Sequence, residues 1–201
     1  MLLAVFMAST AQAQPAESPL ERVREGADAL IAILQEPSAQ EPGQRDAVIA
    51  RLRAKAEQYI DFRTVTMYSV GRPWLEMEPA LQDDLVDAFV QLLERTYLKR
   101  IPAYEGQSVE YTGEMIQGKK SRVTAEIVDK DKKIVVEFRL KIIQDQWMIY
   151  DMAAEGVSLV SNYRSQFKQI LSDGTPEDLL RLIRERIQQI DREKGAETPA
   201  P

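Results

Sequence analysis

The 201-residue sequence contains no cysteine and no histidine. Without cysteine there is no thiolate nucleophile, and without histidine there is no imidazole base, no Ser-His-Asp triad and none of the common zinc ligand sets. The composition therefore excludes several large enzyme classes. The absence of cysteine is compatible with an oxidising compartment but does not require one.

An excess of basic residues is also lacking. The chain has 26 lysines and arginines against 32 acidic residues, a formal net charge of −6. A nucleic-acid-binding protein neutralises phosphates with a basic face, so this balance argues against nucleic acid as a partner. Hydrophobic residues make up 44% of the chain, enough for one sizeable core. Beyond the N-terminus no apolar run approaches the roughly 20 residues that span a bilayer, so no transmembrane segment is expected in the mature chain.

The N-terminus has features of an export signal. Residues 1–8 are apolar, and Ala11-Gln12-Ala13 is a small-x-small cleavage pattern, although no lysine or arginine precedes the apolar run. We expect residues 1–13 to be a cleaved signal peptide; the alternative is a frayed apolar N-terminus. We expect residues 14–190 to form a single domain. The charged, Pro/Ala-rich stretch 191–201 is expected to be a disordered tail.

Apolar residues at spacings of three and four predict helices over residues 19–35, 45–60, 62–70, 79–100, 158–172 and 176–190. Between residues 109 and 152 the apolar period changes to two, and short turns such as Gly118-Lys119 separate four strands. Sequential strands with short turns form an antiparallel meander. The predicted fold class is α+β, a four-stranded antiparallel sheet covered by amphipathic helices on one face.

The stretch from Trp147 to Phe167 joins the last predicted strand to a helix. Glu155-Gly156 forms the turn, Gly156 is expected in a conformation that residues with a Cβ avoid, and Ser158 is a suitable N-cap. The stretch resembles the signature of the toluene-tolerance (MlaC) family. The resemblance is carried by Tyr150-Asp151, Glu155-Gly156-Val157-Ser158-Leu159-Val160, Asn162-Tyr163-Arg164 and Gln166-Phe167, and upstream by Tyr59-Ile60-Asp61-Phe62, Met67, Val70-Gly71, Trp74, Phe89, Leu92-Leu93 and Thr96-Tyr97. It covers roughly residues 20–185.

The resemblance implies a periplasmic carrier of glycerophospholipid with a deep apolar cavity between sheet and helices. It implies transport between the outer membrane, where the partner is a complex of MlaA with a porin, and an inner-membrane ABC transporter bearing MlaD. Such a carrier maintains outer-membrane lipid asymmetry, and phospholipid is its cargo, with no cofactor expected. Since the lipid head group can stay in water, we expect weak selectivity among head groups.

Periodicity by itself does not distinguish a cavity wall from an ordinary core. With the resemblance, we predict that the lipid tails contact one face of the sheet and the helices over it. The predicted lipid-binding residues are Met67, Val70, Trp74, Phe89, Leu92, Val136, Phe138, Leu140, Met148, Tyr150, Val160, Tyr163 and Phe167.

Two alternatives remain open. In the first, the chain is a small pocket enzyme of isomerase or dehydratase type with Asp151 as general base. The structural interpretation of Asp151 is a hydrogen-bond acceptor for the following loop, or a partner of Arg164. In the second, the chain is a structural adaptor with a filled core. The basic cluster of Lys119, Lys120 and Arg122 is a solvated hairpin or a docking site, and Asp61 is predicted to cap a helix.

Overall fold

The computed structural model describes residues 17–41, 43–97, 107–129 and 132–197. The helices are α1 (Pro19–Gln35), α2 (Arg45–Ala56), α3 (Phe62–Val70), α4 (Pro79–Tyr97), α5 (Leu159–Asp173) and α6 (Pro176–Glu197). The strands are β1 (Ser108–Gln117), β2 (Lys120–Asp129), β3 (Lys132–Ile143), β4 (Gln146–Ala154) and β5 (Val157–Ser158). Two short 3-10 helices, Pro37–Gln40 and Arg72–Glu76, lie in the connections between α1 and α2 and between α3 and α4. The predicted signal peptide, residues 1–13, lies outside the described residues.

The predicted α+β fold is confirmed, with one correction to the strand count. The sheet has five strands in the order β1-β2-β3-β4-β5, and each neighbouring pair is antiparallel. The fifth strand is only two residues long and follows the Glu155-Gly156 turn. A two-residue strand carries no alternation that a sequence pattern could display, which is why it was not predicted.

Local side-chain caps start three of the helices where the sequence places them. Ser18 and Glu21 form a reciprocal capping box at α1. The Asp61 carboxylate accepts from the Thr64 N–H at the start of α3, as predicted. The Ser158 hydroxyl accepts from the Ser161 N–H at α5. Each cap satisfies backbone donors that a first helical turn leaves without partners.

Three apolar clusters hold the elements together. The helical core joins α3, α4, α5 and α6 around Leu85, Phe89 and Leu179. The sheet core lies between α1 and the sheet, around Val23, Val123 and Leu140. The hairpin core is a small cluster between α1 and α2, formed by Ile33, Val48 and Leu52.

Two predicted helix ends are wrong. Helix α2 ends at Ala56 instead of residue 60, because the chain there pairs with the edge of β4. The Ile149 N–H donates to the Tyr59 carbonyl, and the Asp61 N–H donates to the Ile149 carbonyl. Helix α6 continues to Glu197, so residues 191–197 of the predicted disordered tail are helical. Among the described helices, none is both long and apolar enough to cross a membrane.

Candidate functional site

An apolar cavity of about 440 Å³ lies between the α1–α2 hairpin, the sheet edge at β4 and the helices α3, α4 and α5. Its size falls within the range of about 300–1,000 Å³ that is typical of ligand pockets. Its walls consist almost entirely of apolar atoms. The lining residues are Leu30, Leu34, Leu52, Arg53, Ala56, Ile60, Phe62, Val65, Val90, Leu93, Glu94, Tyr97, Val136, Ile149, Asp151, Met152, Ala154, Val157, Ser158, Leu159 and Asn162.

The predicted lipid-binding residues of the helices lie mainly in the helical core and are not among the cavity-lining residues. Phe89 lies 4.8 Å from Tyr163 and 5.1 Å from Phe167 between ring centroids, both in edge-on geometry. Burial raises the pKa of Tyr163 to about 12, so its phenol is neutral at physiological pH. The helical core also contains Val70, Trp74, Leu92 and Val160, and Met67 packs against it.

Helix α4 shows why the predicted residues differ from the residues that line this cavity; that the lipid contacts the predicted residues stays a prediction. One side of α4 packs in the helical core, and another side faces the cavity. Phe89 and Leu92 belong to the helical core, whereas Val90 and Tyr97 line the cavity. The sequence signal for the second face is the additional apolar set Val90, Leu93 and Tyr97, none of which is among the predicted lipid-binding residues.

Of the predicted strand residues, Val136 lines the cavity. Phe138 and Leu140 share its face of β3 but pack in the sheet core beneath α1. The cavity therefore covers only one end of the face that the alternation of β3 identified.

A bulge in β4 helps to explain why Met148 and Tyr150 are not among the residues that line this cavity. Leu140 pairs with Ile149, and Arg139 pairs with Asp151, so Tyr150 is the extra residue. The shift places Ile149 and Met152 on the cavity side, because a single inserted residue reverses the facing of the residues beyond it. Tyr150 packs edge-on against Tyr68 with 5.5 Å between ring centroids. Met148 lines a separate cavity of about 310 Å³ beside Ile60 and Ile143.

Asp151 reaches the cavity wall, but both of its carboxylate oxygens are occupied. Oδ2 accepts from the Ser158 hydroxyl at 2.7 Å and from Arg139 Nη1 at 3.0 Å, and Oδ1 accepts from the Val160 N–H at 3.0 Å. The carboxylate thus joins β4 to β3 and α5. The predicted role as acceptor for the following loop is confirmed. The predicted partner Arg164 is wrong, because Arg164 donates to the Tyr68 carbonyl instead.

The other charged groups on the cavity wall are Arg53 and Glu94. Arg53 Nε lies 3.6 Å from Glu94 Oε1, an oxygen that is buried without a hydrogen-bond partner among the described residues. Burial raises the pKa of the Glu94 carboxyl, and Arg53 and Arg95 partly offset this rise. In residues 17–41, 43–97, 107–129 and 132–197 no group of three acidic side chains is arranged to hold a metal ion.

Two comparisons bear on this arrangement. The family model described as MlaC protein matches residues 24–185. Among solved structures, the chain is similar to a phospholipid-binding protein from Ralstonia solanacearum, determined in complex with a phospholipid. The two share 23% sequence identity with a TM-score of 0.80, over 87% of this chain and 99% of that chain. A likeness at this level of identity shows that the two chains have the same fold.

Proposed function

This chain belongs to the MlaC family, and on that premise we propose that it is a carrier of glycerophospholipid that holds the acyl tails in the cavity beside β4. The single observation that carries the proposal is the cavity itself, about 440 Å³ with a nearly wholly apolar wall. A space of this kind replaces the bilayer interior as the solvent for hydrocarbon.

The physical need for such a carrier follows from the hydrophobic effect. Each buried CH₂ group is worth about 0.8 kcal/mol, so a lipid with roughly 30 such groups costs on the order of 20 kcal/mol to hold in water. A carrier that performs no bond chemistry can remove most of this cost by enclosing the tails. We propose that the residues contacting the tails include Leu30, Leu34, Val136, Met152 and Leu159, which line the cavity from both sides.

The finer role is also a proposal. We infer that the protein works in the periplasm and exchanges lipid with an outer-membrane complex of MlaA and a porin and with the MlaD component of an inner-membrane ABC transporter. Membership of the MlaC family supports this assignment. Loading and unloading would be driven by partners that bind the open and closed states with different affinity.

The enzyme alternative has weaker support. A general base needs a lone pair available to the substrate proton. The carboxylate of Asp151 instead accepts three charge-assisted hydrogen bonds, from Arg139, Ser158 and Val160. Its position on the cavity wall is explained by its structural role in joining β4 to α5.

The first test of the proposal is mass spectrometry of an organic extract from protein purified without detergent. Stoichiometric diacyl phospholipid is the expected result. A stably folded protein that carries no lipid would contradict the proposal and favour the adaptor alternative with a filled core.

A matched pair of variants locates the lipid. Val136 lines the cavity, whereas its neighbour Val135 is 43% exposed and faces away. Val136→Trp is expected to retain lipid about 5- to 150-fold less tightly, since overpacking costs about 1–3 kcal/mol. Val135→Trp should load like the wild type. Equal loading of two folded variants would show that the tails lie elsewhere.

A further inference from the structure

The exposed residues of the cavity lining are confined to one part of its wall. Of the described residues that line the cavity, Tyr97, Ala154, Val157 and Asn162 are exposed, and all the others are buried or half-buried. Three of the four lie in one short stretch that runs from the end of β4 through β5 into the first turn of α5, and Tyr97 is the last residue of α4. We call these four residues the rim, because each contacts both the cavity and solvent.

The two sides of the rim lie close together. Burial raises the pKa of Tyr163, and the neighbouring Tyr97 raises it further. Since Tyr163 directly follows Asn162 in α5, this interaction places the end of α4 beside the first turn of α5. The rim residues therefore belong to one opening of the cavity.

The side of the rim at the β4–β5 turn is held in place by β3. The Glu155 N–H donates to the Val135 carbonyl at 2.9 Å, and the Val135 N–H donates to the Glu155 carboxylate at 2.7 Å. Glu155 and Gly156 have positive φ angles of 49° and 79°, as in the tight turns that connect antiparallel strands. The turn thus presents the Val157 side chain, which is 65% exposed, at a fixed place on the rim.

Apolar side chains on the rim suit the passage of an acyl chain. A single exposed apolar side chain is common on protein surfaces, but Val157 and Tyr97 are exposed and also line the cavity. Ile134 lies two residues before Val136 on the same face of β3, and its exposed side chain continues the apolar surface outward from the cavity wall. Contact with apolar atoms shields a passing chain from water, which lowers the barrier to its transfer.

Resting on the proposed carrier function, we propose that lipid enters and leaves the cavity across the rim, between Tyr97 at the end of α4 and Val157 in β5. The rim is then a portal, and its residues govern the rate of lipid exchange. A group that narrows a portal raises the barrier to entry and to exit by the same amount. Both rates therefore fall by the same factor and the affinity stays unchanged, whereas a change in a binding wall alters the affinity.

The test uses the absence of native cysteine, which allows a label to be placed at one chosen position. Val157→Cys is alkylated with a maleimide that carries a bulky water-soluble polymer. The probe is lysophosphatidylethanolamine with a fluorescent acyl chain. Stopped-flow mixing with lipid-stripped protein gives the entry rate, and a chase of loaded protein with unlabelled lysolipid gives the exit rate.

Alkylation is expected to slow entry and exit by about tenfold each, relative to the same variant before alkylation, and to leave their ratio unchanged. Tyr97→Cys places the label on the opposite side of the rim and is expected to give the same result.

Leu75→Cys is the matched control. Leu75 is also an exposed apolar residue, 78% exposed, but it lies in the second 3-10 helix and does not line the cavity. Alkylation there should leave both rates unchanged. The portal would be wrong if alkylation of the rim variants left both rates unchanged, changed the exit rate alone, or slowed Leu75→Cys equally. Stripped wild type that takes up no probe would instead contradict the carrier function.

Discussion

At the scale of single residues, Asp151 shows how a buried charge is used for structure. It is 3% exposed, and its carboxylate is paired with Arg139 and with two groups at the start of α5. A buried carboxylate without partners would be strongly unfavourable. Here three protein donors replace the hydrogen bonds that the carboxylate would make with water. The start of α5 is therefore fixed against β4 by one side chain.

We predict that Asp151→Ala lowers the free energy of unfolding by about 2–4 kcal/mol, because it removes charge-assisted bonds and leaves Arg139 and the helix start without their acceptor. Urea denaturation followed by circular dichroism measures this change. Asp173→Ala, at an exposed site, should stay within about 0.5 kcal/mol of the wild type. If Asp151→Ala were as stable as the wild type, the structural role assigned to the carboxylate would be wrong.

At the scale of elements, α1 packs closely against Tyr59, in the segment between α2 and α3. A Cβ built on Gly26 would lie 2.9 Å from Cγ of Tyr59, whose side chain is only 6% exposed. The ring cannot easily move, because the Arg22 guanidinium stacks on it at 4.3 Å and also donates to the Trp147 carbonyl. This contact fixes the helix that forms one wall of the cavity.

Gly26→Ala therefore brings two opposing effects into competition. Alanine in a helix interior is usually favoured over glycine by about 0.5–1 kcal/mol. Here the clash should outweigh that gain, for a net loss of about 1–2 kcal/mol, since overpacking costs about 1–3 kcal/mol. Thermal unfolding of Gly26→Ala in the wild-type and Tyr59→Leu backgrounds measures the coupling. A loss that is equally large in both backgrounds would assign the effect to something other than the Tyr59 ring.

At the scale of the whole molecule, the apolar cavity means that lipid and fold stabilise each other. A ligand bound only by the native state stabilises it by about 2.7 kcal/mol at a concentration one hundred times its dissociation constant. Bound lipid would stabilise many elements of the fold at once, since the cavity lining comes from five helices and from β3, β4 and β5.

Removal of lipid is therefore predicted to lower the melting temperature by about 5–10 °C, given about 2–4 °C per kcal/mol for a chain of this size. Differential scanning calorimetry of stripped and reloaded protein measures the shift. In Val136→Trp, where the side chain fills part of the cavity, the difference between the two preparations should be much smaller. Identical melting of stripped and reloaded wild type would indicate that lipid does not bind the native cavity.

What depends on local chemistry was predictable from the sequence. The caps at Asp61 and Ser158 were predicted and confirmed, and so was the positive backbone angle of Gly156, which has φ +79°. The helices and the four long strands follow from apolar periods of 3.6 and 2, which need only neighbours in the chain. The family signature likewise lies in one continuous stretch.

Only the tertiary structure decided which apolar residues surround empty space. Phe89 and Val90 are adjacent on α4, yet one is core and the other is cavity wall, because α5 and α6 cover one side of α4 while α2 stands away from the other. The bulge at Tyr150 and the ion pair of Arg53 with Glu94 depend in the same way on contacts between segments that are distant in the sequence. A cavity depends on the distance between elements. An apolar pattern along one element shows that one of its faces is buried, but not how far away the facing element lies.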